Sequence, residues 1–281
     1  MTPSPEIADR IAALLGWRPE AWRPVERGYT PARRYMVSGG GRSAFAKIAT
    51  TPLTARMVNR EIETYGRIAG PFMPHLIGAD PDADMPILVI EDLTDAVWPP
   101  PWSADSIEVA LAAIAALHAT VPDPGIPPMV PEKLGGWAAV AADPAPLLSL
   151  GLVSADWLAA ALPALLDTER APPGRTGLCH FDLRSDNICI RDGRALILDW
   201  AETCIADPDL DLGFMLPSLE AEGGPAPEAT LPGRPDIAAK VSGFFAARAG
   251  LPEIPEAPFV RRVQREQLAT ALPWAQRALG V

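Results

Sequence analysis

The apolar pattern of the first ninety residues predicts a small β-sheet with one long helix. Strand-like runs dominate this part of the chain, and glycines 39–41 predict the tight turn of a hairpin. The predicted elements are, in chain order, a helix over 4–15, a hairpin within 22–48, a helix over 52–68, and strands over 75–79 and 87–90.

Beyond Leu93 the apolar residues recur mostly at helical intervals. The predicted helices cover 105–120, 154–166, 235–249 and 259–279. A short β-block between residues 177 and 199 interrupts them, and its Asp192-Gly193 pair is typical of a hairpin turn. The predicted fold class is therefore α+β, with a sheet-rich first part and a larger, mostly helical second part.

Composition excludes several functional classes. The formal charge of −11 offers no electrostatic footprint for nucleic acid, so we expect no nucleic-acid partner. No apolar run approaches the ~20 residues that a membrane span requires, so we expect no membrane association. The first residues lack a signal-peptide core, which predicts a cytoplasmic protein. Three cysteines without a CxxC pair predict neither a disulfide framework nor a metal site.

The segment from His180 to Asp199 carries the strongest chemical signal. Its order is His180-x-Asp182-x-x-x-x-Asn187, followed by Asp199 at the end of the next predicted strand. This is the order of a kinase catalytic loop and its metal-binding aspartate. We expect Asp182 to act as the base for an attacking hydroxyl, and Asn187 and Asp199 to hold Mg²⁺. The alternative, that these residues only cap turns, explains each one singly but not the whole set.

Two charged residues upstream fit the same chemistry. Lys47 lies within a predicted strand, where a lysine needs a partner, and Glu61 lies in the following helix. In kinases such a pair places the lysine on the α- and β-phosphates. An edge-strand lysine and a solvated glutamate are the alternative for each residue alone.

Further nucleotide contacts are predicted by position. Gly28 and Thr30 lie in the turn between the first two strands, where backbone N–H groups can contact phosphate. This turn lacks the full GxGxxG pattern. Glu91 and Leu93 lie where a hinge would pair an adenine with the backbone.

The chain resembles the aminoglycoside phosphotransferase and choline kinase-like family, a branch of the protein-kinase-like fold. The matching features extend over 28–213 and include Leu117-His118-Ala119 and a segment, Asp207 to Gly213, that is similar to the family's DPxxDLA. The resemblance implies two lobes. The N-terminal nucleotide-binding lobe, 1–92, ends in a hinge, and the C-terminal lobe, 93–281, is catalytic and binds the acceptor. It also implies that Asp211 supports the catalytic loop through backbone N–H groups.

Two positions depart from the family pattern. Phe181 stands where the family often has glycine, and Ala201 stands where it often has glutamate. Neither change removes a predicted ligand, but together they indicate a subgroup whose acceptor cannot be copied from the best-known members. Arg184 stands where serine/threonine kinases carry a phosphate-contacting lysine, and we predict a catalytic role for it.

The spacing after Asp199 favours a small acceptor over a protein. Asp207 follows after only eight residues, which leaves no room for the activation segment that binds peptide strands in protein kinases. We expect the acceptor between the catalytic loop and the C-terminal helices. The candidate contacts are Asp186, Glu202, Asp207 and Trp274.

The predicted function is transfer of the γ-phosphoryl group of ATP or GTP, with Mg²⁺, to a small-molecule hydroxyl by a monomer or homodimer. An antibiotic is the leading acceptor. A metabolic alcohol of the homoserine, choline or sugar type is the alternative. Two further alternatives are a catalytically silent nucleotide-binding pseudokinase and a regulatory or scaffold protein. An acidic acceptor pocket would indicate a polycation, and a broad apolar wall or free arginines would indicate a macrocyclic or anionic acceptor.

Overall fold

The structure, a computed structural model, describes residues 3–26, 30–130, 134–255, 257 and 259–281. The strands are β1 (Ala21–Pro24), β2 (Arg33–Gly39), β3 (Arg42–Ile48), β4 (Leu76–Asp80), β5 (Ile87–Glu91), β6 (Gly177–Cys179), β7 (Ile188–Arg191), β8 (Arg194–Ile197) and β9 (Cys204–Ala206). The helices are α1 (Pro5–Leu15), α2 (Pro52–Arg67), α3 (Ala104–His118), α4 (Trp137–Ala142), α5 (Ala145–Leu148), α6 (Ala155–Glu169), α7 (Pro208–Ala221), α8 (Pro227–Thr230), α9 (Pro235–Ala246) and α10 (Val260–Leu279).

The N-terminal sheet is antiparallel, with strand order β1-β2-β3-β5-β4. Alternate residues of a strand point to opposite faces, so the two faces of this sheet can pack on different helices. On one face Ile7 and Ile11 of α1 pack against a cluster that includes Val37, Ala46 and Val89. The predicted hairpin and both later strands are confirmed.

The long helix α2 packs on the other face of the sheet. Its Ala55 and Val58 are buried with Leu88 and Ile90 of β5. Thr51 begins the helix as part of a capping box with Thr54, which satisfies two backbone N–H groups at the helix start. The face of the sheet that carries Lys47 is therefore the one covered by α2.

The C-terminal part is built around a large helical core. Trp137, Trp200 and Trp274 are each at most 1% exposed within it. Two small antiparallel sheets, β6-β9 and β7-β8, lie against α3 and α7. Asp192 and Gly193 both have positive φ angles, 52° and 71°, which confirms the predicted tight turn between β7 and β8.

The four helices predicted in this part are present, with ends that agree to within three residues. The helix α7, by contrast, was not predicted. Its buried residues lie on all sides, because it crosses the core, and Pro217 lies inside it. Apolar periodicity marks a helix that has one wet face, so it does not mark this one.

The fold is two-lobed α+β as expected, although the exact division at residues 92 and 93 stays a prediction. No helix in the described ranges is long and apolar enough to cross a membrane.

Candidate active site

A cleft of about 360 Å³ lies between the N-terminal sheet and the β7-β8 hairpin. Side chains of β2, β3 and β5 line one side, and residues 186–199 contribute the other. The charged and polar residues that line it are Arg23, Arg34, Lys47, Glu61, Glu91, Thr94, Asp186, Asn187 and Asp199. The fold thus gathers most of the residues predicted for nucleotide and metal into one cavity.

Lys47 connects the two lobes through a pair of carboxylates. Its Nζ lies 2.7 Å from Glu61 Oε2 and 2.9 Å from Asp199 Oδ1. Burial works to lower the pKa of Lys47, but the two carboxylates outweigh it and raise that pKa. Burial likewise works to raise the pKa of Asp199, but the Lys47 ammonium outweighs it and lowers that pKa. Lys47 and Asp199 are therefore both held in their charged forms.

The helix that carries Glu61 is also anchored to the segment after Asp199. Arg60 donates from Nε to the Ala201 carbonyl oxygen (3.0 Å) and from Nη2 to the Thr203 carbonyl oxygen (3.2 Å). Thr64 donates to the Trp200 carbonyl oxygen (3.3 Å). The sequence analysis missed Arg60, although it is the direct neighbour of the predicted Glu61. These bonds fix α2 against the loop whose aspartate Lys47 contacts.

The loop after β6 is held from below by Asp211 in α7. Its carboxylate accepts hydrogen bonds from the backbone N–H groups of His180 and Phe181, both at 2.8 Å. His118 Nε2 lies 2.9 Å from the same carboxylate. This geometry matches the supporting role that the family resemblance implied for Asp211.

His180 is a buried structural residue of this loop. Its Nδ1 accepts from the Asp182 N–H (3.2 Å), so the ring proton lies on Nε2, which is 2.9 Å from the Leu198 carbonyl oxygen. Burial lowers the pKa of His180, which keeps the ring neutral. The ring thus joins the start of the loop to the residue before Asp199.

Asp182 lies at the end of this hydrogen-bonded frame. Asn187 Nδ2 donates to the Asp182 carbonyl oxygen (2.8 Å) and to its Oδ2 (2.9 Å). Although part of the Asp182 side chain faces a cavity, burial raises its pKa to about 7, against the opposing effect of Arg184. A carboxylate with a pKa near neutrality is suited to exchange a proton with a hydroxyl group.

The β7-β8 hairpin brings Asn187 and Asp199 to the same end of a ladder. Ile188 pairs with Ile197, and the Leu198 N–H donates to the Asn187 carbonyl oxygen at 2.8 Å. Both side chains line the cleft. Because Asn187 directs its amide nitrogen at Asp182, its oxygen Oδ1 is the atom that it can offer to a cation. Two hard oxygen donors at one site suit Mg²⁺.

The other predicted nucleotide contacts are placed unevenly. Glu91 and Leu93 line the cleft at the end of β5. Glu91 also forms an ion pair with Arg191 and accepts from the His75 N–H at 2.7 Å. Thr30 accepts from Arg34 through Oγ1 at 3.0 Å. Gly28 lies outside the described residues.

Arg34 is a cleft cation that the sequence analysis did not single out. It is the cross-strand partner of Lys47, so the two side chains lie on the same face of the sheet. Its guanidinium is half-buried, and burial lowers its pKa while the nearby Asp199 opposes that effect. The signal was the register: an arginine opposite the lysine of the neighbouring strand.

A second cavity of about 420 Å³ begins on the other side of the loop. Asp182, Arg184 and Glu202 line it, together with residues of α7, α9 and α10. The contact between Asp182 and Asn187 therefore joins the two cavities. Glu202 was predicted to face the acceptor, and it lies in this wall.

The remaining acceptor predictions need correction. Asp186 lines the cleft and pairs with Arg184 across two parallel contacts. Asp207 is buried, where it begins α7 and bonds Arg234 and the Gly174 N–H. Trp274 is 1% exposed in the helical core. Neither Asp207 nor Trp274 lines the second cavity, so neither is retained as an acceptor contact.

Comparison with known proteins adds a family. A profile described as the phosphotransferase enzyme family matches residues 21–241. The search of curated proteins finds no significant match.

Solved structures of similar fold cover nearly the whole chain. A thermostable mutant of aminoglycoside phosphotransferase APH(4)-Ia superposes with a TM-score of 0.60 at 16% identity, over 97% of this chain and 98% of the other. Aminoglycoside-3'-phosphotransferase of type VIII gives 0.50 at 22% identity, over 92% and 98%. Amicoumacin kinase hAmiN, in complex with AMP-PNP, Ca²⁺ and Ami, gives 0.51 at 15% identity, over 95% and 93%. At these identities the similarity shows the fold.

Proposed function

We propose that this chain, which belongs to the phosphotransferase enzyme family, moves the γ-phosphoryl group of ATP or GTP to a hydroxyl group of a small molecule. The family membership agrees with the resemblance carried by the loop motifs. One observation carries the proposal: Asp182 and Asn187, in contact at 2.9 Å, join the charged cleft to a second cavity. The nucleotide would occupy the cleft, and the acceptor would occupy the second cavity.

The cleft residues divide the work of binding the nucleotide. Lys47 is held in place by Glu61 and can place its ammonium on the α- and β-phosphates. Arg34, on the neighbouring strand, adds a second positive charge on the same face. Glu91 and Leu93 lie where the backbone can receive the base. Held charges of this kind neutralise phosphate oxygens without reorganising during the reaction.

Asn187 and Asp199 would hold Mg²⁺. Asp199 Oδ1 contacts Lys47, and the second carboxylate oxygen and Asn187 Oδ1 are the atoms that these residues can offer. When bound, the ion supplies positive charge against the phosphate oxygens. We propose that Asp199 is the principal ligand, because its pKa is low and it is fully ionised.

Asp182 would act as the base. The acceptor oxygen forms a bond to the γ-phosphorus while the bond from that phosphorus to the bridging oxygen of the nucleoside diphosphate breaks. The hydroxyl proton passes to Asp182, which must be ionised to take it. Arg184 lies in the wall beside Asp182, where its charge can approach the transferred group.

An antibiotic with a free hydroxyl is the proposed acceptor. Support comes from relatives of the same fold: APH(4)-Ia has been solved in a ternary complex with AMP-PNP and hygromycin B, at a TM-score of 0.58 and 14% identity. A silent nucleotide-binding protein is less consistent with the site, because binding alone does not require Asp182.

The test is phosphoryl transfer to a panel of hydroxylated antibiotics and small metabolites, with Mg²⁺ and ATP or GTP. Mass spectrometry should find an acceptor that is heavier by one phosphoryl group. Asp182→Asn should lower the rate by about 10²–10⁴-fold, the usual contribution of a positioned base, while nucleotide binding persists. Asp156→Asn, a change at the start of α6, is the charge-matched control. Failure of the chain to bind either Mg²⁺-nucleotide would contradict the proposal.

A further inference from the structure

The second cavity has an aromatic wall. Phe181, Phe214, Phe244 and Phe245 all line it, and we call these four residues the phenylalanine wall. Their rings form a connected set, with centroids 5.6 Å apart for Phe181 and Phe214, and 5.1 Å apart for Phe214 and Phe244. Leu134, Val260 and Val263 extend the apolar surface. The wall therefore offers a broad apolar face at the place where we put the acceptor.

The charges around this cavity do not favour a polycation. Among the described residues that line it, the ionisable side chains are Asp182, Glu202 and Arg184. A second arginine, Arg248, lies with its guanidinium carbon 4.0 Å from the centre of the Phe244 ring. Several ammonium groups would need several carboxylates here, since a charge moved out of water requires a partner. The two carboxylates are balanced by two arginines.

Gln264 and Gln267 provide the uncharged polar part of the cavity. Gln267 donates its amide to Ser218, and its Oε1 is buried with no hydrogen-bond partner in the described structure. An amide oxygen in this position can accept a hydrogen bond from a hydroxyl group. The polar contacts that the cavity offers thus suit hydroxyl groups better than ammonium groups.

Phe181 joins the apolar wall to the reacting group. It is the residue before Asp182, and its backbone is left-handed, with φ at 65°. This conformation is unfavourable for a bulky side chain and costs glycine nothing. The hydrogen bond from its N–H to Asp211 and the contact of its ring with Phe214 hold it there. A flat ring therefore stands directly beside the base, where glycine would leave open space.

We propose that the acceptor is a neutral or singly charged alcohol with a broad apolar face, and that it packs on the phenylalanine wall while its hydroxyl meets Asp182. This inference rests on the proposed function and specifies its acceptor class. Phe181 is the residue that selects for the apolar face. A ligand pocket of this volume, mostly apolar with a few polar groups, binds drug-sized molecules, and a larger ring system can extend through its open side.

The first test compares probes of opposite character on the intact protein with Mg²⁺ and AMP-PNP. The probes are erythromycin, a macrocycle with one amine, chloramphenicol, a neutral aromatic alcohol, and hygromycin B, a polycation. Calorimetric titration should show tighter binding of erythromycin or chloramphenicol, by at least about tenfold, than of hygromycin B. Tighter binding of hygromycin B would overturn the inference, as would binding of none of the three. Binding of Mg²⁺-AMP-PNP in the same samples separates these outcomes from failure of the proposed function.

The second test replaces the ring beside the base. Phe181→Gly keeps the left-handed backbone without strain, so the loop should keep its geometry and the protein should stay folded. The KM or Kd for the preferred apolar probe should rise about tenfold, while the KM for the nucleotide changes less than twofold. Phe259→Ala, an exposed phenylalanine that does not line the cavity, is the matched control.

Phe181→Ala distinguishes the ring from the loop. If the ring binds the acceptor, the alanine and glycine variants should weaken acceptor binding to the same extent. If Phe181 only shapes the loop, the glycine variant should keep acceptor affinity and kcat should respond instead. That second pattern would overturn the role given to Phe181.

Discussion

The two cavities of this protein are joined by one contact, between Asp182 and Asn187, but they are built by different means. The cleft is organised by charges that hold one another at fixed distances, such as Lys47 between Glu61 and Asp199. The second cavity is organised by aromatic packing, and its few charges are balanced. Charged groups are directional and costly to misplace, whereas apolar contact is not directional.

This difference explains why one cavity resembles a family and the other suggests an individual acceptor. A triphosphate and its ion present the same charges to every enzyme that uses them, so the cleft has few solutions. An acceptor alcohol has no such common feature. Changes in the cleft should therefore damage catalysis whatever the acceptor, and changes in the phenylalanine wall should alter which acceptor binds.

The largest effect is expected from Asp199→Asn. It weakens the proposed ion ligand and the partner of Lys47 together, so transfer should fall on the order of 10³-fold with any acceptor, as expected for loss of a group that stabilises the charge of phosphoryl transfer. Steady-state transfer at saturating Mg²⁺ measures it. Asp192→Asn, in the exposed hairpin turn of the same segment, should behave like wild type. An effect that depends on the acceptor would blur the division between the cavities.

Lys47→Met should be the most destabilising change in the cleft. It leaves Glu61 buried without its cation, and removal of one partner of a buried pair costs about 3–5 kcal/mol. Urea unfolding measures the loss. The double variant Lys47→Met, Glu61→Leu should recover part of it, because the buried carboxylate is removed as well. No recovery would mean that Glu61 is not held by Lys47.

Arg34→Ala should weaken nucleotide binding without touching the acceptor. Hydrogen bonds to charged groups contribute about 1.5–3 kcal/mol, so the nucleotide KM should rise at least about tenfold while the acceptor KM stays constant. Arg33→Ala is the control, since Arg33 is exposed and its side chain points to the opposite face of β2. Equal effects of the two variants would leave Arg34 without a phosphate contact.

The smallest effect is a pH dependence at the junction of the cavities. Because the pKa of Asp182 is raised to about 7, the folded protein keeps this proton at pH values where the unfolded chain has released it. This group therefore removes stability as the pH rises from about 4 to about 7. Asp182→Asn, measured by thermal unfolding with EDTA and no nucleotide, should melt ~2–4 °C higher at pH 8 and show no gain near pH 4.

A constant difference across that pH range would contradict the raised pKa of Asp182. It would also weaken the comparison of the cavities, because the raised pKa reflects burial of a carboxylate where the charged cleft ends and the apolar wall begins.

The sequence predicted most of the cleft because its chemistry is local. Asp182 and Asn187 are five residues apart, and a short hairpin carries the chain from there to Asp199. Lys47 and Glu61 could be paired because one strand and one helix separate them. Arg34 escaped notice because its relation to Lys47 lies in the strand register, which no spacing along the chain reveals.

The sequence by itself determined the two-lobed α+β fold and the catalytic loop, because periodicity and short motifs record local geometry. Only the tertiary structure decided the walls of the second cavity. Phe181, Phe214 and Phe244 come from a loop and two separate helices, and nothing in their spacing shows that they share a surface. Trp274, a large aromatic residue on the predicted C-terminal helix, turned inward instead. Which face of a helix meets a cavity depends on how the helices pack, and packing is a property of the whole core.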